Sequence, residues 1–186
     1  MSALQRSLRF NPSYGPAILS MGSVEYQRGR QAAGRRLFHS LLKLPKNTRD
    51  LLELIDKSGD FLIHLRAYKD GLELYRAAAA KFPAVAVFHQ GVGCCAGNEG
   101  LHEEAVAASE RALHLEPDNQ KFVNDLGWSV LEAGRAAEAE KILKRAVSMD
   151  PSDSLAAENL RWCREKISNA KSQNETRSRT RRANSQ

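Results

Sequence analysis

The sequence predicts an all-α protein that is built from a repeat of about 34 residues. Hydrophobic residues make up 42% of the chain and aromatic residues only 6%. This composition suits helices rich in alanine and leucine better than a β-sandwich, whose strands favour aromatic and β-branched residues. Pro83, Pro117 and Pro151 follow one another at a constant interval. A fixed interval of this length indicates a repeat architecture rather than one domain with a single centre.

Small residues keep the same register as these prolines. Gly59, Gly93 and Gly127 are separated by the proline interval, and so are Gly100 and Gly134. Two further series consist of Gly71, Ala105 and Ala139, and of Ala78, Ala112 and Ala146. Five series in one register are difficult to obtain by chance, so the repeat is the organising feature of the chain.

The segments 86–119 and 120–153 show the repeating unit most clearly. In the second of them, Leu126 and Gly127 supply a leucine and a small residue for a first helix, and Gly134 turns the chain. This pattern resembles the tetratricopeptide repeat, a helix–turn–helix unit. The resemblance implies a right-handed α-solenoid of antiparallel helix pairs, the tetratricopeptide superhelix, with a C-terminal capping helix.

The remaining segments match the unit less closely. In 52–85, Gly71 stands where alanine is usual and Ser58 where leucine is usual. Gly22 precedes Gly93 by two repeats and a small surplus. The predicted organisation is a partial repeat helix or N-terminal cap at 1–14, a repeat with linker at 15–51, a divergent repeat at 52–85, repeats at 86–119 and 120–153, a capping helix at 154–170 and a disordered basic tail at 171–186.

Composition and the N-terminal residues predict a cytoplasmic protein. The chain has 3 cysteines, an odd number that provides no disulfide framework. Its first residues lack the apolar run of an export signal, and no stretch approaches the length of a membrane span. We therefore expect a cytoplasmic chain that has no membrane partner.

The resemblance implies that first helices line a concave groove and that their exposed side chains bind the partner. Carried over residue by residue, this interpretation selects side chains from every unit. The predicted partner-binding residues are Tyr26, Asp56, Asp60, His64, Gln90, Asn98, Lys121, Asn124, Trp128, Glu158 and Trp162.

Trp128 and Trp162 are the most informative members of this set. They lie one repeat apart, at the same place in successive units, and exposed tryptophans are enriched at binding hot spots. The alternative is that Trp162 packs beneath the terminal helix and Trp128 fills the space beside it. Lys121 and Asn124 suit the clamp that some family members use for a peptide carboxylate, but Gln90 and Cys94 in the preceding unit do not.

Patterns that carry catalytic or metal chemistry have simpler explanations in this chain. Asp56, Asp60 and His64 recur at four-residue steps, but a solvated acidic helix face explains them without a metal. A dinucleotide-binding fingerprint requires a strand directly before its glycines. No strand is predicted before the glycines of 91–97. No serine or cysteine stands in a nucleophile motif, so we expect no enzyme activity, no metal and no cofactor.

The function that these patterns predict is a non-enzymatic scaffold that binds a peptide or helix of another protein. One alternative is a nucleic-acid-associated adaptor that uses basic segments at both ends, because residues 1–49 carry 9 Lys/Arg against 1 acid and residues 168–186 carry 5 against 1. These segments contain Arg28, Arg30, Arg35 and Arg36, and Arg177, Arg179, Arg181 and Arg182. Another alternative is the repeat segment of a larger enzyme.

An apolar edge near the N-terminus suggests a homo-oligomer. Leu4, Leu8 and Ile18 lie beside the partial first repeat, where no preceding helix of this chain is available to cover them. A second copy that covers this edge would form a dimer.

Overall fold

The computed structural model describes the backbone of residues 3–183. It also describes the side chains of this range, except those of residues 171 and 174–183. Helices make up all of the regular secondary structure in the described residues. No strand occurs within residues 3–183. The helices are α1 (Ala3–Phe10), α2 (Gly15–Gln27), α3 (Gln31–Leu41), α4 (Leu51–His64), α5 (Tyr68–Lys81), α6 (Ala86–Asn98), α7 (His102–Leu115), α8 (Gln120–Glu132), α9 (Ala136–Met149) and α10 (Ser154–Ala183).

The chain divides into two compact units. The first ends at Leu101 and contains α1 to α6, and the second begins at His102 and contains α7 to α10. Helices that are consecutive in sequence pack against each other within each unit, as α2 does on α3 and α8 on α9. Because short connections join these helices, the paired helices run antiparallel.

In the first unit, glycines on one helix make room for large side chains of a neighbouring helix. A Cβ atom at Gly22 would lie 2.5 Å from the ring of Phe38, which is fully buried. The ring of Tyr75 lies between α4 and α6, where a Cβ at Gly59 or Gly91 would approach it to 2.2 or 2.5 Å. Such distances are far below van der Waals contact, so these three helix contacts require glycine.

An aromatic cluster fills the space between α2, α3 and α4. The ring centroids of Tyr26 and Phe61 are 6.0 Å apart, and those of Phe38 and Phe61 are 5.7 Å apart, both in edge-to-face arrangements. This geometry is favourable for aromatic pairs. The side chain of Lys81 in α5 donates hydrogen bonds to the carbonyl oxygens of Leu42 and Leu44, in the segment that follows α3.

The turn that follows the first helix of each repeat contains a left-handed residue. Gly29, Gly100 and Gly134 fill this place with φ of 79°, 76° and 82°. Arg66 fills it between α4 and α5, with φ of 55°. A side chain in this region costs about 1–2 kcal/mol because its Cβ crowds the following carbonyl oxygen.

In the second unit, α8 packs closely on α9, and α10 covers both helices. A Cβ at Gly127 would lie 2.6 Å from Leu143, which is fully buried. Leu160 and Cys163 place the apolar side of α10 in the same core. Arg161 stands one repeat after Gly127, with its side chain 63% exposed. A bulky charge therefore occupies the place where α8 accepts a neighbouring helix, as expected for a capping helix.

The structure corrects two expectations. Helix α10 continues to Ala183, whereas we predicted a disordered tail at 171–186; residues 184–186 lie outside the described residues. Lysine, glutamine, glutamate and arginine are favourable in a helix, and they account for much of 171–183.

Ile18 is only 2% exposed, so it is not part of the apolar edge that we predicted near the N-terminus. The large apolar residues that are exposed near it are Phe10 and Tyr14, at 89% and 48%.

In the part of the chain that the structure describes, no helix has the length and apolar character that crossing a membrane requires.

We predict that Gly59→Ala destabilises the protein by about 1–3 kcal/mol, because the new methyl group overlaps the enclosed ring of Tyr75. Gly71→Ala is the matched control. Its new Cβ would lie 3.0 Å from Cys95 Sγ and 3.7 Å from Leu62 Cβ, a much milder overlap than the one at Gly59, and alanine gains roughly 1 kcal/mol of helix propensity. Urea denaturation at unchanged m-value provides the measurement. Equal midpoints for the two variants would show that the contact of Tyr75 with Gly59 is not tight.

Candidate partner-binding surface

The two tryptophans of the chain meet on one face of the second unit. Trp128 of α8 is half-buried and Trp162 of α10 is 48% exposed. Their ring centroids are 6.3 Å apart, with the ring planes tilted by 55°. Leu155 is 56% exposed and lies two helical turns before Trp162, on the same side of α10. We call Trp128, Leu155 and Trp162 the tryptophan face.

Polar contacts on both sides of the tryptophans join α8 to α10. One turn before Trp128, the Asn159 Nδ2 donates to Asn124 Oδ1 at 3.1 Å. One turn after it, the Lys166 ammonium donates to Glu132 Oε1 at 2.7 Å. Because each helical turn contributes one contact between the helices, the two indole rings are held in place before any ligand arrives.

The other predicted residues of the second unit differ in their exposure. Lys121 and Glu158 are exposed, and Glu158 makes a long contact of 3.4 Å with Arg161. Asn124 is only 3% exposed and its side-chain oxygen already accepts from Asn159. The expectation of an exposed Asn124 is therefore wrong, because a neighbouring asparagine that sequence spacing did not single out covers it.

Two predicted carboxylates of the first unit share a buried tyrosine. The Tyr75 hydroxyl lies 3.0 Å from Asp56 Oδ1 and 3.3 Å from Asp60 Oδ1. Burial raises the pKa of Asp56, and the negative charge of Asp60 adds to this effect. Sequence reasoning did not assign Tyr75 to this site. The signal lay in Gly59 and Gly91, which leave room for its ring.

The other predicted residues of the first unit are His64, Gln90 and Asn98, and they differ in exposure and in their hydrogen-bond partners. His64 is exposed, and its Nδ1 lies 2.8 Å from the carbonyl oxygen of Asp60. Asn98 is also exposed, and its side-chain amide donates to the Cys94 carbonyl at 2.9 Å. Gln90 is half-buried and also has an interaction partner. Of these residues, His64 and Asn98 are accessible to a partner.

Tyr26 is a core residue rather than a surface residue. It is 6% exposed, and its hydroxyl donates to Asp70 Oδ2 at 2.7 Å. Arg35 binds the other oxygen of Asp70 at 2.9 Å. Burial raises the pKa of Tyr26, as does its hydrogen bond to Asp70. The expected exposure of Tyr26 is wrong, because α3 and α5 supply partners that the spacing along α2 does not reveal.

No group of three His, Cys, Asp or Glu side chains suited to holding a metal ion occurs among the described residues. Cys94, Cys95 and Cys163 all lie within the described residues and form no disulfide. Burial raises the pKa of Cys95 to about 12, so its thiol remains protonated and is a poor nucleophile at neutral pH.

Comparisons with known proteins agree with these helix pairs. A family model described as tetratricopeptide repeat matches residues 98–161. The small glutamine-rich tetratricopeptide repeat-containing protein 2 of Mycosarcoma maydis is 24% identical over 122 residues, which are 66% of this chain and 35% of that relative. The chain thus matches about a third of that relative's length.

Two solved structures illustrate the similarity in fold. YrrB, a protein of the same repeat type with an unusual peptide-binding site, gives a TM-score of 0.61 at 19% identity and covers 83% of this chain and 78% of its own. The first repeat domain of Spaghetti (RPAP3), bound to the HSP90 peptide SRMEEVD, gives 0.58 at 15% identity over 63% of this chain and 93% of its own. These matches confirm the all-α fold class and the predicted resemblance.

We predict that Asp56→Asn stabilises the protein more at about pH 7 than at about pH 4. The pKa of Asp56 is raised in the folded protein, so the native state binds this proton more tightly than the unfolded chain. The free energy of unfolding therefore falls as pH rises through the raised pKa, and asparagine removes this loss while it can still accept from Tyr75. Urea midpoints of both proteins at the two pH values test it.

Glu73→Gln serves as the control for this comparison because Glu73 is an exposed carboxylate on α5. It should change the midpoint little at either pH. A stabilisation by Asp56→Asn that is larger at the lower pH would contradict the environment described for Asp56.

Proposed function

Because the chain is a tetratricopeptide repeat protein, we propose that it is a non-enzymatic cytoplasmic scaffold that binds a polypeptide partner through the tryptophan face. The observation that carries this proposal is the Trp128–Trp162 pair, with ring centroids 6.3 Å apart and Trp162 about half exposed. Contact of the exposed indole surface with water is unfavourable in free energy. This surface is the kind that interface hot spots bury.

The chemistry of the face favours an apolar anchor on the partner. Leu155 and Trp162 expose apolar surface on one side of α10, with Glu158 between them. Exposed Lys121 of α8 provides a positive charge. A partner segment with an apolar side chain can insert against the indole rings while its flanking polar groups meet the charged residues. Such a centre with a polar rim is the usual anatomy of a protein interface.

The structural relative with a bound HSP90 peptide supports a peptide as the class of ligand. This chain departs from a carboxylate clamp because Asn124 is only 3% exposed and its side-chain oxygen accepts a hydrogen bond from Asn159. We therefore propose that side-chain packing on the indole rings, rather than capture of a peptide carboxylate, provides most of the affinity.

The nucleic-acid alternative gains no support from two of the arginines that were named for it. Arg30 pairs with Glu25, and Arg35 pairs with Asp70 at 2.9 Å. Neutralised guanidinium groups release few counterions on contact with phosphate. We therefore favour the protein-binding proposal.

Trp162→Ala should weaken partner binding by about 30-fold, the effect of losing roughly 2 kcal/mol at a hot spot. The partner is first captured from the source cells with immobilised wild-type chain and identified by mass spectrometry. Its purified binding segment is then titrated into the wild type and the variant. Because both tryptophans of the chain lie in the face, intrinsic fluorescence reports binding at this surface directly.

Met149→Ala is the matched control, since Met149 is an exposed apolar residue of α9 in the same unit. It should leave affinity unchanged. Circular dichroism must show that both variants are folded. Wild-type affinity in a folded Trp162→Ala protein, or binding without any change in tryptophan emission, would refute this surface.

A further inference from the structure

A polar cleft in the first unit is separate from the predicted groove residues, apart from Tyr26. Its volume is about 650 Å³, and its lining includes Gln27, Leu65, Tyr68 and Glu99. This volume falls within the range of about 300–1,000 Å³ that is typical of ligand sites. The cleft lies at the turns that connect α2 to α3 and α4 to α5, and sequence analysis did not identify it.

A rigid hydrogen-bond network lies beneath the cleft. Tyr26 and Asp70 both line it, and the Tyr26 hydroxyl donates to one oxygen of Asp70 at 2.7 Å. Arg35 binds the other oxygen at 2.9 Å. The negative charge of Asp70 is therefore compensated within the protein, and the network fixes α2, α3 and α5 relative to one another.

Two cations of the cleft have no such compensation. Arg66 and Lys69 line it and are exposed, and among the described residues neither side chain forms an ion pair or a hydrogen bond. Glu99 is a further carboxylate of the lining and is exposed. The cleft thus presents two positive charges that are available to a ligand. The Glu99 charge disfavours a continuous polyanion such as nucleic acid.

The backbone conformation of Arg66 is strained, although glycine at this position would relieve the strain. Arg66 has φ of 55°, whereas the three corresponding turns of the other repeats use Gly29, Gly100 and Gly134 at φ of 76° to 82°. Glycine would adopt this conformation without strain. Strained residues concentrate at binding sites, and the residue that replaces glycine here is an arginine that lines the cleft.

We propose that the cleft binds a single oxyanion, a carboxylate or a phosphate, on a partner polypeptide, with Arg66 and Lys69 as its ligands. Arginine offers a planar pair of donors that match both groups, and lysine adds a point charge. The Gln27 amide and the Tyr68 hydroxyl provide further hydrogen-bonding groups in the lining. This site is independent of the tryptophan face, and either can exist without the other.

NMR titration of the full chain with capped pentapeptides tests the proposal. The probes have the sequence Gly-Ser-X-Ser-Gly, with glutamate, phosphoserine or glutamine at X. At least one acidic peptide should shift the backbone amides of 65–70 at millimolar concentration, and the glutamine peptide should not. Which acidic peptide binds more tightly identifies the source of the oxyanion.

Two variants separate the role of the cation from that of the fold. Arg66→Gly should weaken binding by about tenfold or more, and it should raise Tm by about 2–4 °C because the strain of the turn is relieved. Lys69→Gln should also weaken binding and leaves the turn intact. Arg49→Gln, which removes an exposed charge from a residue that does not line the cleft, should bind like the wild type.

Any of three results would overturn the proposal: no shift with either acidic peptide, equal binding of the glutamine peptide, or unchanged affinity in Arg66→Gly. A lowered Tm for Arg66→Gly would also contradict it, because the arginine would then stabilise the turn rather than strain it.

Discussion

Close approach of neighbouring helices at glycine positions is the constraint on which both units depend. Gly22 accommodates Phe38, Gly59 and Gly91 enclose Tyr75, and Gly127 accommodates Leu143; at each glycine a Cβ would lie 2.2 to 2.6 Å from its neighbour. The large residue in each contact is fully buried. Because the ring or branched side chain fills the space that glycine leaves, the distance between two helices is fixed by one pair of residues.

Because the spacing between helices is fixed, residues that are one repeat apart in sequence lie at a defined distance from each other in the structure. Trp128 and Trp162 stand one repeat apart, and their rings meet because α8 and α10 both pack on α9. The contacts of Asn124 with Asn159 and of Glu132 with Lys166 follow the same register. The tryptophan face is therefore a product of the repeat rather than of a local motif.

The sequence predicted correctly the features that depend on position within the repeat. It did not predict how deeply individual side chains are buried. The period predicted helix pairs and placed the two tryptophans at the same position in successive units. It placed Tyr26 and Asn124 on the surface, because spacing along a helix gives the direction of a side chain but not the partners that cover it. Asp70 and Asn159, which cover them, belong to helices that the pattern of one helix does not describe. Arg66 breaks the glycine pattern of the turns, and only its positive φ shows what that break costs.

The most direct test of this account is an NMR measurement of nuclear Overhauser effects between the two indole rings. The chain contains only 2 tryptophans, so cross-peaks between their ring protons can be assigned without ambiguity. If Gly127 and Leu143 fix α8 on α9, and the apolar side of α10 packs in the same core, rings whose centroids are 6.3 Å apart will show these cross-peaks in the free protein. Sharp indole signals without any such cross-peak would show that the helices do not share this register.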